Sequence, residues 1–130
     1  MTSSVVNNFI TAINSHSVND IIVLMTDDHK FIDSFDIELS GKDALKRAWT
    51  EYFRMFPNYK MVIDKILVNG NNAAIIGNAF GTYTKDGKLK PENKWRVPAA
   101  WYATVRGDKI KTWRIYADVT PIVKILGENN

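Results

Sequence analysis

The segment His29-Lys30-Phe31-Ile32-Asp33-Ser34 sets an imidazole two residues before a phenylalanine and a carboxylate two residues after it. Side chains alternate along a strand, so His29, Phe31 and Asp33 are expected to share one face. If that face lines an apolar hollow, burial lifts the carboxylate pKa toward neutrality and suits Asp33 to take up and return a proton. His29 would titrate in the same range. The plainer uses are a turn cap for Asp33, ahead of Ser34-Phe35-Asp36, and a half-exposed strand start for His29. A second set lies near the C-terminus, where Thr112, Arg114, Tyr116 and Asp118 alternate with Trp113, Ile115 and Ala117. With the polar set inside, Arg114 would keep Asp118 ionised and lower its pKa. With the polar set in solvent, the apolar set is core.

Composition excludes several other chemistries. The 130 residues suit one domain, read here as residues 1–130, with 45% apolar and 24% charged residues. The absence of cysteine removes disulfides, thiolate catalysis and cysteine metal clusters. Asp27, Asp28 and His29 are adjacent, but neighbouring side chains diverge and His16 is the only other histidine, so no metal site is expected. No glycine-rich phosphate loop or nucleophile elbow occurs, and no cofactor is expected. A net charge of +3, with dispersed basic residues, gives no reason to expect nucleic acid. No apolar run reaches the roughly 20 residues of a membrane span. Residues Met1 to Asn8 lack a basic, signal-like start, which makes a cytoplasmic location the expectation.

The elements that must position these groups follow from periodicity. Val5, Val6, Phe9, Ile10 and Ile13 recur at helical spacing, and His16-Ser17 breaks the run. Ser17 and Asp20 mark a short second helix burying Ile21, Leu24 and Met25, with Thr26-Asp27-Asp28 ending it. Strands are expected from His29 to Ser34 and from Ile37 to Leu39. Leu45, Ala48, Trp49, Tyr52, Phe53 and Phe56 then make the clearest amphipathic helix, stopped by Pro57. Such an aromatic stripe is first of all core, and part of it can wall a pocket. Four long strands follow, Tyr59–Val68, Ala73–Thr84, Lys94–Val105 and Ile110–Asp118, with hairpin signals at Asn69-Gly70-Asn71-Asn72 and Arg106-Gly107-Asp108. Pro98 within the third implies a bulge or an edge. Both faces of Lys94–Val105 look covered, which suggests helices on one side and a second subunit on the other. Pro121 to Leu126 is left open between a short helix and a strand-like tail.

This order, with Thr26-Asp27-Asp28-His29-Lys30-Phe31-Ile32-Asp33, Gly41, Phe53-Arg54-Met55-Phe56-Pro57-Asn58-Tyr59 and Trp113-Arg114-Ile115-Tyr116-Ala117-Asp118, resembles the SnoaL-like polyketide cyclases and the ketosteroid isomerases. Both belong to the nuclear transport factor 2-like superfamily. The resemblance spans nearly the whole chain. It implies an α+β cone in which a curved antiparallel or mixed sheet wraps around three N-terminal helices. It places Asp33 where the isomerases carry their proton-shuttling aspartate, and Asp118 near the acid/base aspartate of the cyclases. The isomerase oxyanion tyrosine would fall near Phe9, which has no hydroxyl, and the second isomerase acid near Trp101, which has no carboxyl. It also favours the polar set of the last strand facing the cavity, and a homodimer through the convex face. The resulting expectation is an apolar small molecule bound against Trp49, Tyr52, Phe53, Arg114, Tyr116 and Phe9. Asp33, Asp118 and His29 are the candidate acid–base groups of a cofactor-free isomerase- or cyclase-like step. The alternatives are a non-catalytic binding module and a protein-interaction dimer.

Overall fold

The structure, a computed structural model, describes residues 1–129. The helix α1 (Thr2–Asn14) buries Val5, Val6, Phe9, Ile10 and Ile13, the face its spacing marks out. His16 ends it in a left-handed conformation (φ 56°), and its imidazole stacks on Phe53 at 4.1 Å. Helix α2 (Val18–Val23) is shorter than its pattern suggests. Strand β1 (Met25–Ile32) starts at once, so Thr26-Asp27-Asp28 opens a strand instead of ending a helix. Its polar groups find partners that the strand geometry brings close: Thr26 donates to Asp28 at 2.8 Å, and Arg106 reaches Asp28 with two donors. Strand β2 (Glu38–Ser40) and helix α3 (Lys42–Met55) follow, the latter burying Leu45, Trp49 and Phe53. Next come β3 (Lys60–Asn69), β4 (Asn72–Thr82), β5 (Lys94–Arg106) and β6 (Lys109–Ala117). The C-terminal segment resolves as a fourth helix, α4 (Thr120–Glu128).

One sheet runs in the order β2-β1-β6-β5-β4-β3. Only β1 and β6 pair in parallel; the hairpin-linked strands pair antiparallel. The mixed sheet with helices against its inner face is the expected α+β cone. In β5 buried and more exposed residues alternate without a break, and cross-strand register carries that alternation to its neighbours. The row Ile75–Trp101–Ile115 faces inward, whereas Ile76–Ala100–Tyr116 faces outward. Pro98 costs little, because the pairing of β6 ends at Ala99–Ala117 and leaves one flank of β5 open there.

Two features bend the sheet. The β3–β4 register shifts between Ile63 and Lys65, and the β5–β6 register between Thr104 and Val105; bulges of this kind increase twist. At the first, β3 lies so close that a Cβ on Gly77 would sit 2.1 Å from the Val62 carbonyl oxygen. Backbone cannot step aside as a side chain does. The Gly77→Ala change should therefore lower stability by about 1–3 kcal/mol, against the roughly 0.4–1 kcal/mol gain that Gly→Ala gives at unstrained sites. Urea unfolding checks this; a variant as stable as the parent would mean that β3 does not press on Gly77.

Candidate functional site

The inner face of the sheet carries a stretch of small residues between bulkier ones. Trp101, Trp113 and Ile115 point inward beside α3; further along β4, β5 and β6 come Ala79, Ala99 and Ala117, with Val97 and Trp95 beyond Ala99 on β5. Helices cannot close on small and bulky residues at once, and two connected chambers result. The inner one, about 110 Å³, lies between α3 and the sheet, against Leu45, Trp49, Met61, Trp101 and Trp113. The outer one, about 320 Å³, lies over the alanines and is walled by Ile122, Val123 and Leu126 of α4. Phe31, Tyr52, Tyr59, Trp101 and Ile115 line both and form the joint. All four tryptophans of the chain, Trp49, Trp95, Trp101 and Trp113, face one chamber or the other.

The acid–base candidates are not brought together. Asp33 lies one residue beyond β1, on the rim of the outer chamber with Ser34 and Phe35. Its Oδ1 accepts from the backbone N–H of Phe35 at 2.8 Å and of Ile37 at 3.0 Å, so it organises the β1–β2 turn as well. Oδ2 has no hydrogen bond among the described residues. His29 is 1% exposed and does not line either chamber. It packs 6.1 Å from the Phe9 ring, with Nδ1 2.8 Å from the Ile110 carbonyl oxygen. Desolvation pushes its pKa below the ordinary histidine value. Nδ1 is then the protonated nitrogen and donates to Ile110, and Nε2 is left without a partner.

The last strand is inverted relative to expectation. Trp113 and Ile115 form the chamber wall, whereas Tyr116 is 53% exposed. Register decides this: Ile115 pairs with inward Trp101, and Trp113 pairs with inward Phe31 of the parallel strand β1. Arg114 therefore lies on the outer face. Its Nη2 donates to Asp36, not Asp118, at 2.8 Å, and its guanidinium sits 4.9 Å from the Tyr116 ring centre. Asp118 is exposed and accepts from the N–H and hydroxyl of Thr120, which lowers its pKa and fixes the start of α4. Asp118 is on the lining of neither chamber. Phe9 is core against Trp113 at 4.8 Å, and Phe53 is covered by His16; neither lines a chamber. Of the expected ligand contacts, Trp49 and Tyr52 do.

Tyr59 is the polar residue that sequence reasoning passes over, since it reads only as the start of a strand. Its backbone is held by the His16 ring, with Nε2 2.7 Å from the Tyr59 carbonyl oxygen, and its ring lies 5.0 Å from that of Tyr52. Burial pushes the Tyr52 phenol well above its usual range, with Tyr59 adding to the shift, and burial raises Tyr59 as well. Both remain neutral hydroxyls at physiological pH. Among the described residues, no cluster of three histidine, aspartate or glutamate side chains could hold a metal ion.

A cone of this topology has counterparts. The profile of the SnoaL-like domain matches residues 6–113. The chain belongs to the SnoaL-like domain family. Among solved structures, one assigned as a SnoaL-like polyketide cyclase from Shewanella denitrificans OS-217 superposes with a TM-score of 0.83 at 14% identity, covering 98% of this chain and 97% of its own. A hypothetical protein with a ketosteroid isomerase-like fold from Catenulispora acidiphila DSM 44928, in complex with trimethylamine, gives 0.79 at 18% identity, with 95% and 92% covered. No curated protein matches. At these identities the structural likeness speaks for the fold of this SnoaL-like protein alone. No helix among its described residues is long and apolar enough to cross a membrane.

The buried histidine sets a pH response. His29 has a folded pKa below its unfolded value of 6.5, so its contribution to stability is complete above pH 6.5 and is lost as pH falls toward the folded pKa. As pH falls below about 6.5 the wild type should lose stability through this group, with a slope of at most about 1.4 kcal/mol per pH unit. His29→Gln should be less stable at pH 7.5 and flatter over that window. Equal slopes in urea titrations of the two proteins would show that His29 is protonated in the folded state without cost.

Proposed function

We propose that this SnoaL-like protein binds an apolar small molecule in its two chambers. The observation that supports this most is the hollow itself. Bulky tryptophans and small alanines divide one sheet face, and only a few polar groups reach the lining. Sites of this kind bury most of a ligand's apolar surface and use few polar contacts to orient it. Binding should quench or shift tryptophan emission, because every tryptophan of the chain is on the wall. With 2-acetylnaphthalene as probe, Ala99→Leu, which fills the outer chamber from its floor, should weaken binding at least ten-fold. An unchanged affinity would place the probe elsewhere.

A catalytic version of the same site is favoured by one observation: Asp33 is the carboxylate on the lining, with Oδ2 uncommitted. It would remove a proton next to a ligand carbonyl and return it to another position, without a cofactor, as in isomerisation or cyclisation. Asp33→Asn keeps an oxygen for the Phe35 and Ile37 N–H groups, so the turn survives while the base is lost. Exchange of the methyl protons of 2-acetylnaphthalene in heavy water, followed by NMR, separates the two versions. The catalytic one requires acceleration over buffer by the wild type and return to the buffer rate in Asp33→Asn, with affinity held within two-fold. A wild-type rate equal to that of buffer leaves a binding protein.

A further inference from the structure

We infer that the ligand is an elongated apolar molecule, with no charge on its inner end, carrying one oxygen that accepts a hydrogen bond from the Tyr52–Tyr59 phenol pair at the joint of the two chambers. This rests on the binding reading above and narrows it to a ligand class. Three observations carry it. The phenols belong to two different elements, the end of α3 and the residue before β3, yet both line the inner and the outer chamber. No backbone group or charged side chain engages either hydroxyl among the described residues, although both rings are packed in an aromatic cluster, 5.0 Å from each other. The inner chamber has no ionised side chain on its lining, and Asp33 stands on the rim of the outer one.

The last two observations exclude three ligand chemistries. A charged head in the inner chamber would lose its hydration with no opposite charge to replace it, a cost of many kcal/mol. A carboxylate held in the outer chamber would meet Asp33. A pure hydrocarbon would leave the one hydroxyl hydrogen that the pair does not use between its members without an acceptor, and an unsatisfied buried polar group is costly. Two hydroxyls that pair with each other leave one hydrogen to donate onward. A single carbonyl or ether oxygen at the joint takes it. The unequal volumes, about 110 and 320 Å³, then set a small apolar end inside and a larger one outside.

The test compares 2-acetylnaphthalene with 2-isopropenylnaphthalene, in which a methylene group replaces the carbonyl oxygen at nearly constant shape. Affinities are read by tryptophan emission for the wild type, Tyr52→Phe, Tyr59→Phe and the double variant. The expected result is a wild-type preference of about five-fold for the ketone, the worth of one neutral hydrogen bond. The double variant should lose this preference through weaker ketone binding, with the alkene held as tightly as before or more so. Equal wild-type affinity for the two probes, or a preference that survives in the double variant, overturns the phenol assignment and leaves the binding reading standing. Failure of both probes to bind overturns the binding reading with it. The single variants retain the ring contacts and report the same preference should the double variant fold poorly.

Discussion

The structure depends on how side-chain size is distributed over one face of one sheet. Antiparallel register joins Ile75 to Trp101 and Ile115, and Gly77 to Ala99 and Ala117, so bulky and small residues fall in separate rows. The bulky rows support α1 and α3. The small rows cannot reach a helix at the same distance, and space remains between them and α4. A close-packed interior tolerates such space only where the surrounding elements are held apart by something else. Here those supports are hydrogen bonds. Asn14 exchanges two hydrogen bonds with the Met61 backbone, at 2.9 and 2.8 Å, and fixes the end of α1 to β3. Asn58 donates to the Thr82 hydroxyl and accepts from the Thr82 N–H, tying the segment before β3 to the end of β4. Asp118 and Asn129 secure the two ends of α4, the latter by donating to Asn93 at 3.0 Å.

The polar groups sort by the same geometry. Those on the outer face or at the strand ends pair with each other: Arg114 with Asp36, Arg106 with Asp28, Lys42 with Asp27. The Arg106 guanidinium beside Asp28 holds that carboxyl well below the usual range. Such exposed pairs add little stability each. The interior keeps groups that are neutral at physiological pH: the two phenols and the His29 imidazole. A carboxylate comes close only at the rim, where the turn after β1 anchors Asp33. On the proposed function, Asp33 at the rim is the place for acid–base chemistry and the phenol pair, deeper in, the place for ligand recognition.

Much of the fold is legible in the residues. The helical stripe from Leu45 to Phe53 and the turn Asn69-Gly70-Asn71-Asn72 give α3 and the β3–β4 hairpin almost to the residue. The α2–β1 boundary is not, because the polar run Thr26-Asp27-Asp28 resembles a helix end until Arg106, remote in sequence, supplies its partner. The site is less legible than the fold, for two reasons. Alternation along Thr112–Asp118 separates two sets of side chains but does not say which faces inward; the pairing of Ile115 with Trp101 decides that. And a cavity is made by what is small. Ala79, Ala99 and Ala117 carry no functional signature, and Tyr59 comes to lie beside Tyr52 with its backbone held by His16, at the end of a different helix.

The most direct measurement of the hollow is a crystal structure of the protein under xenon pressure, since xenon enters dry apolar cavities and scatters strongly. The account predicts xenon between Tyr52, Trp101 and Ile115, and over Ala99 beneath α4, with the tryptophan walls unmoved. Density showing Trp101 or α4 swung inward to fill that space, with no xenon bound, would contradict it.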